Sequence, residues 1–425
     1  MRELVRLGEK LLVIVGIIYL SGSLYKLVPD PVSSLTQYGV YGMSFLLLLA
    51  RWRRTVRTLL RDPFLWLLLT LTLLSFLWSA FPKDTLKSGI VACQTASFSL
   101  YVASCYTLKQ QIRLMAWAMG IIGVISVLYT LGMPSEGIHT TGDHAGAWRG
   151  LYVHKNILAE ISAYSALIFL FLTMILRRFT YIAWGGLFLW VALLILSTSK
   201  TGLMVFITVS ILLQLYKGLR WRDTNAVIIL NIIILIFAAL ALTFISNAGI
   251  ILESMGRDLT LTGRTEIWAG AIARIQQRPW LGYGRAAFWH PRSAIPAAIG
   301  EEIGANYIPP HAHNGFVNLA CDLGLMGLFF FLLSYFLAWG RAYHRARLTR
   351  GPEHLWPLMY CSFLLLYNIT ESSIMAHNSA LWATYMMAVL SLGRITVESP
   401  LPESTEAPSA SPALSGEKDK NYSNV

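Results

Sequence analysis

The chain has 425 residues, of which 55% are hydrophobic and only 13% charged, with a net charge of +12 and a mean hydropathy of +0.55. Average soluble domains carry about a quarter charged residues. Here the apolar residues fall in long runs, without the alternation of a closed barrel. Composition therefore predicts an all-α polytopic membrane protein. The excess of Lys and Arg reads as a topology signal and requires no nucleic-acid partner.

The apolar runs predict spans at 11–28, 37–50, 63–81, 88–107, 114–133, 156–176, 180–196, 201–216, 226–246, 315–339, 354–371 and 379–395, roughly twelve helices. They divide the chain into helices one to nine (1–246), a polar loop (247–314), helices ten to twelve (315–395) and a tail (396–425). The tail is rich in Pro, Ser and Glu, a composition that predicts disorder. Basic clusters at Arg51–Arg61, Lys109 and Arg113, Arg177 and Arg178, and Arg341–Arg350 alternate with less basic intervals. That bias puts both termini in the cytoplasm and 134–155, 197–200, 247–314 and 371–378 outside. The basic start and first apolar run lack a small-residue cleavage site and read as the first span. Cys93, Cys105, Cys321 and Cys361 fall inside spans without metal-ligand spacing and read as buried thiols.

After the fifth span, a loop carrying Arg149 leads to His154, Lys155 and Asn156, with Glu160 four residues beyond Asn156 on the same helix face. A carboxylate just inside a membrane helix is costly unless it faces a partner or a cavity. His154 alone suits a structural hydrogen bond as well as chemistry. The seventh span ends in Ser197-Thr198-Ser199-Lys200. Hydroxyls, a helix N-terminus and a cation suit a phosphate. A polar turn with a snorkelling lysine reads equally well.

The 247–314 interval holds Arg257, Arg264, Arg274, Arg278, Arg285 and Arg292, and closes on His311 and His313. Thr262 can cap a helix to about Gln277, with Ile267, Trp268, Ala271, Ile272 and Ile275 on one face. Such a helix either lies on the membrane surface or caps the bundle. Arg264 in its first turn opposes the helix dipole, a cost more readily tolerated beside an anion. Arg278 and Arg285 flank the turn Pro279-Trp280-Leu281-Gly282-Tyr283-Gly284. Asp322 and Glu371 are embedded or interfacial acids able to neutralise a basic site.

No P-loop or dinucleotide glycine fingerprint is present, and His-x-His alone is weak evidence for a metal. The residues predict an anionic substrate handled at the outer surface without cofactor or metal. Diphosphate attached to a lipid fits. Arginines would hold it through paired hydrogen bonds, and a histidine would take a proton from an attacking hydroxyl.

Six motifs occur in a recognisable order: His154-Lys155-Asn156; Ser197–Lys200; Gly263-Arg264-Thr265-Glu266-Ile267-Trp268; Arg278–Gly284 followed by Phe288-Trp289; His311-Ala312-His313-Asn314-Gly315; and Asn368–Ser372. Over residues 90 to 395 the chain resembles the bacterial O-antigen ligase and polymerase superfamily (Wzy/WaaL-like), with its nearest motif likeness to ExoQ-type exopolysaccharide polymerases. The resemblance implies a GT-C-like glycosyltransferase of the cytoplasmic (inner) membrane. Its donor would be an undecaprenyl-diphosphate-linked oligosaccharide, used on the periplasmic side. The acceptor would be a lipid-linked repeat for a polymerase, or lipid A-core for a ligase.

Carried over by motif, His313 is the general base, with His311 in reserve, and Arg264 is the loop arginine. Lys200 stands where ligases commonly have arginine, which keeps the charge and loses the fork. Arg278, Arg285, His154, Lys155, Arg149, Glu160 and Glu371 complete the substrate-binding candidates. No external carboxylate pair is obvious for a double displacement, so transfer is expected to invert the anomeric centre. Expected partners are the donor, the glycan acceptor, membrane lipids and a polysaccharide chain-length regulator. A transporter of the same lipid would suit the span count, but it would usually show internal repeats and a midplane site. A structural scaffold would leave the arginines unexplained.

Overall fold

The apolar runs fold as helices. The computed structural model describes residues 2–176, 178–219, 263–302 and 308–393, with a few helical positions between 229 and 240. Most of the expected ninth span (226–246), the loop from Asn247 through Arg257 to the Thr262 cap, and the 396–425 tail lie outside the described residues. The principal helices are α1 (Arg2–Leu20), α2 (Val32–Ala50), α3 (Trp52–Leu59), α4 (Pro63–Leu74), α5 (Pro82–Cys105), α6 (Leu108–Gly132) and α7 (Lys155–Ile175). They continue with α8 (Thr180–Leu196), α9 (Lys200–Leu219), α10 (Gly263–Gln277), α11 (Ala294–Glu302), α12 (Gly315–Leu348), α13 (Trp356–Tyr367) and α14 (Ala380–Ser391). Among the described residues the only β pairing is an isolated bridge between Ile138 and Trp148.

Among the described residues five helices are long and apolar enough to cross a membrane, or six if α3 and the helix after it, bent by 94°, count as one span. α8 and α14 are apolar but shorter. The protein is thus a helical, multi-pass membrane protein. The first expected span, 11–28, is misplaced: α1 runs from Arg2 to Leu20 and stops at a Ser21-Gly22-Ser23 turn, where Gly22 has φ +74°. Its charged half reads as a flank in the sequence because it is polar. The helix holds that half by pairing, since Glu9 forms an ion pair with Arg51 and accepts from the Tyr101 hydroxyl.

α12 is broken at Gly324 (φ 65°, ψ −167°). A kink in a buried helix leaves backbone groups to be satisfied elsewhere. Here the Pro279–Gly284 turn supplies the partners. Tyr283 N donates to Cys321 O at 3.0 Å and Gly284 N to Asp322 O at 2.8 Å. In return, Leu325 N donates to Pro279 O at 2.7 Å and Met326 N to Trp280 O at 3.1 Å. The approach demands glycine on both sides. A Cβ on Gly282 would lie 2.6 Å from Gly324 N, and one on Gly324 would lie 2.3 Å from Trp280 O.

α10 ends at Gln277, as Pro279 predicted, and buries Ile267 and Ala271 against Phe288, Ile299 and Cys321. It therefore caps the bundle through α12, with Ile272 left outside this contact and 46% exposed. Arg274 binds Glu302 on α11, and Arg292 reaches Asp84 at the start of α5 at 2.6 Å. The described part of the loop is thus tied both to itself and to the bundle before the chain reaches His311.

Candidate active site

The site is built by two short segments that enter and leave helices. Asn314 caps α12, its Oδ1 accepting from Phe316 N at 3.0 Å and Val317 N at 3.1 Å. Its Nδ2 donates to Ile369 O at 3.2 Å, and Gly315 N donates to Asn368 O at 2.8 Å. Asn368 is buried and its Oδ1 accepts from Ser373 N at 2.7 Å and Ile374 N at 2.9 Å. These bonds lock the 368–374 turn against the start of α12, a position where Gly315 cannot carry a Cβ because Asn368 Oδ1 lies 2.1 Å from it. His313 precedes the cap with φ 49°, a left-handed conformation that costs a non-glycine residue about 1–2 kcal/mol. Trp268 of α10 donates from Nε1 to Ala312 O at 2.7 Å, which holds the His-Ala-His segment from the other side.

Glu371 is the centre of the arrangement. Its Oε2 lies 3.6 Å from His313 Nδ1, and its Oε1 lies 3.6 Å from Arg264 Nη2. Asn156 Nδ2 donates to Oε1 at 3.4 Å, and Arg264 Nη1 donates to Thr370 O at 2.8 Å. The His311 and His313 rings lie 4.0 Å apart, and His311 Nδ1 accepts from His313 N at 3.1 Å. Glu160 sits behind, accepting from the Ser373 hydroxyl. Asn156 and Glu160 thus share a face of α7, and both meet the 368–374 turn.

Burial pushes the Glu371 carboxyl up, but His313, Arg264 and His311 outweigh it and hold the group below its usual range. Burial, the neighbouring His313 and Arg264 lower His311 to about 4, against a raising contribution from Glu371. His154 is likewise lowered to about 4, by burial first and then by His144 and His139. Glu371 is therefore an anion at neutral pH, and His311 and His154 are neutral.

The remaining candidates separate. His154 caps α7, with Nδ1 accepting from Asn156 N at 3.2 Å. Lys155 Nζ donates to Thr198 Oγ1 at 3.3 Å, and exposed Lys200 opens α9 two residues later. Arg149 folds back on its own loop, donating to Glu136 O at 2.9 Å and Ser135 O at 3.2 Å. Exposed Arg278 lies over the Tyr283 ring, 4.9 Å from its centroid. Arg285, a candidate for the donor diphosphate, is instead enclosed. Its Nη1 pairs with Asp322 Oδ2 at 2.5 Å, its Nη2 binds Met375 O, and its backbone N donates to Ser75 Oγ at 3.0 Å. Both terminal nitrogens of the guanidinium are engaged beside the α12 break, and the acid expected to neutralise a substrate site pairs with this arginine.

Asn156 and Asn368 hold the site together; the sequence places both in motifs, and Asn156 on one face with Glu160, but gives neither a substrate-binding role. For Asn368 its partners, mostly backbone groups of the turn it begins, explain why. His139 and His144 were also missed. With His154 they form a trio with ring centroids 5.3–5.9 Å apart, and His139 Nε2 accepts from Lys155 N at 3.2 Å. Among the described residues no group of His, Cys, Asp or Glu has the arrangement to hold a metal ion.

Comparison with known proteins agrees with the motifs. Residues 185–332 match the family model Wzy_C, described as O-Antigen ligase. That stretch includes Lys200, Arg264, His311 and His313. The chain is also 24% identical over 302 residues to the exopolysaccharide production protein ExoQ of Rhizobium meliloti (strain 1021), covering 68% of this chain and 67% of that protein. A helical membrane chain in which one loop delivers arginine and histidine to a largely buried carboxylate thus resembles the O-antigen ligase and polymerase superfamily, with ExoQ among its relatives.

Proposed function

We propose that the protein is a glycosyltransferase of the inner membrane that moves a glycan from an undecaprenyl-diphosphate-linked donor to an acceptor sugar hydroxyl on the periplasmic side. The observation that carries this reading is the convergence of His313 and Arg264 on Glu371 beside the start of α12. Glu371 orients the His313 ring through its Nδ1 side and leaves Nε2 to accept the proton of the attacking hydroxyl. The acceptor oxygen forms a bond to the anomeric carbon as the bond from that carbon to the diphosphate oxygen breaks. The polyprenyl diphosphate leaves with the electron pair, and the anomeric configuration inverts. A guanidinium has five N–H donors, so Arg264 keeps donors for the diphosphate beyond those directed at Thr370 O and Glu371. Lys155 and Lys200 would add charge at the 197–200 turn.

Polymerisation of an exopolysaccharide or O-antigen repeat is placed first, because the relative is named for exopolysaccharide production. The second reading, ligation to lipid A-core, draws on the description of the matching family model. Purified protein given one defined donor, with a lipid-linked repeat and with lipid A-core in parallel, separates the two. Transfer to the repeat with inversion is expected. Transfer to lipid A-core alone selects the ligase, and transfer to neither overturns the reading.

A further inference from the structure

Away from the candidate site, α1 and α2 leave an apolar face exposed. Glu9 pairs with Arg51, and Tyr19 packs edge-on against Tyr41 with ring centroids 6.2 Å apart, so the two helices run antiparallel. Between them lies a groove of about 610 Å³, lined by Val5, Leu11 and Val15 from α1 and by Thr36, Met43 and Leu47 from α2. Leu11 is 52% and Met43 49% exposed. From Val5 to Val15 the helix rises about 15 Å, half of the roughly 30 Å of a bilayer's hydrocarbon core. The groove therefore has the depth of one leaflet, which is the reach of a phospholipid acyl chain. Gly8 and Gly39 also line it, and a Cβ on either would meet no atom within 4 Å.

At its Val5–Leu47 end the groove adjoins a second cavity of about 440 Å³, lined by Arg6, Lys10, Arg51 and Arg54. Glu9 lines both. Four cations thus surround one carboxylate, and that carboxylate is already engaged by Arg51 and by the Tyr101 hydroxyl at 3.3 Å. Arg51 also donates from Nη1 to Cys105 Sγ at 3.1 Å. Arg6, Lys10 and Arg54 are exposed, and among the described residues their side chains enter no ion pair or hydrogen bond. Cations lining one cavity repel one another, and a bound anion relieves that cost.

The neighbouring helix marks the level as that of lipid headgroups. α3 carries Trp52 (61% exposed) and Val56 (44%) among Arg53, Arg54 and Arg57, the composition of a helix lying in the membrane interface. α5 gives the side. Asp84 at its start meets Arg292 of the loop, whereas Cys105 at its end meets Arg51. The helix rises about 32 Å between those two residues, so the basic cavity lies on the face opposite that loop. A soluble anion would leave the apolar groove unused, and a zwitterionic lipid would leave the excess positive charge unmatched. A lipid with one leaflet-length chain and a net negative headgroup satisfies both cavities.

We propose that α1 and α2 seat an anionic phospholipid in the leaflet opposite the candidate site, with an acyl chain between Leu11 and Met43 and its phosphate held by Arg6, Lys10 and Arg54. The seat does not depend on the transfer reaction. The probe is phosphatidylglycerol with a diazirine on one acyl chain, bound to the purified full chain in detergent, with labelled residues mapped by mass spectrometry. Labelling of α1 and α2 is expected. Unlabelled phosphatidylglycerol should displace the probe, phosphatidylcholine should do so about tenfold less well, and inorganic phosphate at the same concentration should not. Gly39 faces open space, so Gly39→Trp plugs the groove without disturbing packed atoms, and Gly42→Trp, equally open but outside the groove lining, is the control. Labelling should fall about tenfold in Gly39→Trp and in the Lys10→Gln/Arg54→Gln double variant, and stay at the wild-type level in Gly42→Trp. Equal displacement by phosphatidylcholine would make the groove a general lipid contact, and displacement by inorganic phosphate would make the cavity a site for a soluble anion. Either result, labelling confined to other helices, or undiminished labelling in Gly39→Trp overturns the proposal. The displacement arms use the wild-type chain, so they decide the matter even if a variant fails to fold.

Discussion

Arg264 and Arg285 come from the same loop, and each meets a carboxylate from a later element, yet the two pairs differ in almost every physical respect. Arg285 and Asp322 are 2.5 Å apart with side chains 10% and 2% exposed, and the arginine is also bound to the Met375 carbonyl. Arg264 and Glu371 are 3.6 Å apart with side chains 21% and 14% exposed, and the carboxylate is shared with His313 and Asn156. The first pair is a closed joint at the break in α12. The second is an open junction whose members retain donors and acceptors for something else. A buried ion pair in good geometry is costly to break and offers nothing to a ligand. A looser, shared carboxylate beside histidines has the character of a site.

Removing one member of the closed joint should have the largest effect on the folded protein. Arg285→Ala leaves Asp322 buried without its partner, and about 3–5 kcal/mol of stability should be lost, read as a drop in Tm and in yield of folded protein in detergent. Wild-type Tm with lost donor binding would instead return Arg285 to the substrate site. Arg264→Ala should do the reverse, with Tm nearly unchanged and transfer lowered about 10²- to 10³-fold, the scale for losing a donor aimed at developing charge. Arg264→Lys should recover little if the fork geometry matters. Comparable Tm losses in the Arg264 and Arg285 variants would erase the distinction.

Glu371→Gln sharpens the comparison within the open junction. It keeps the shape and removes the charge that orients His313, so kcat should fall by roughly tenfold to a hundredfold, less than the loss expected on removing the general base itself. KM for the donor should change little, and the pH profile of kcat should shift. A pure KM effect would make Glu371 a binding group rather than an orienting one.

A last effect is on the pH dependence of stability. His311 and His154 are held to about 4 in the folded chain, against about 6.5 when unfolded. Below that value the unfolded chain takes up protons that the folded chain refuses, so stability should fall as pH drops from 6.5 toward 4. Glu371, held below its usual range, loses its contribution only as pH falls through its own lower pKa, which leaves the upper part of this window to the histidines. His311→Gln should flatten part of the slope in denaturation curves, whereas a slope unchanged in His311→Gln would contradict the assignment.

Much of this organisation is legible in the sequence, because local chemistry decides it. Pro279 fixes the end of α10, and the apolar spacing of Ile267 and Ala271 gives its buried face. Asn314 announces the start of α12. What could not be read depends on partners distant in sequence. Nothing in the residues around Gly324 says that a turn from Pro279–Gly284 will enter the helix there. Without that knowledge Arg264 and Arg285 look alike, since both are loop arginines near turns and acids. The same reasoning explains α1, where polar residues taken for a flank are carried inside a helix through Glu9 and its pairing with Arg51. Glu371 was noticed as an interfacial acid, but its place at the centre depends on Asn368 and Asn314 binding backbone in each other's segments.

The central claim is that His313 performs proton transfer while its neighbours hold the donor. The most direct measurement uses purified, folded His313→Gln and compares transfer with donor binding, each determined separately. The account predicts transfer reduced about a hundred- to ten-thousand-fold, with donor affinity and Tm close to wild type. Near-normal transfer in His313→Gln would contradict it.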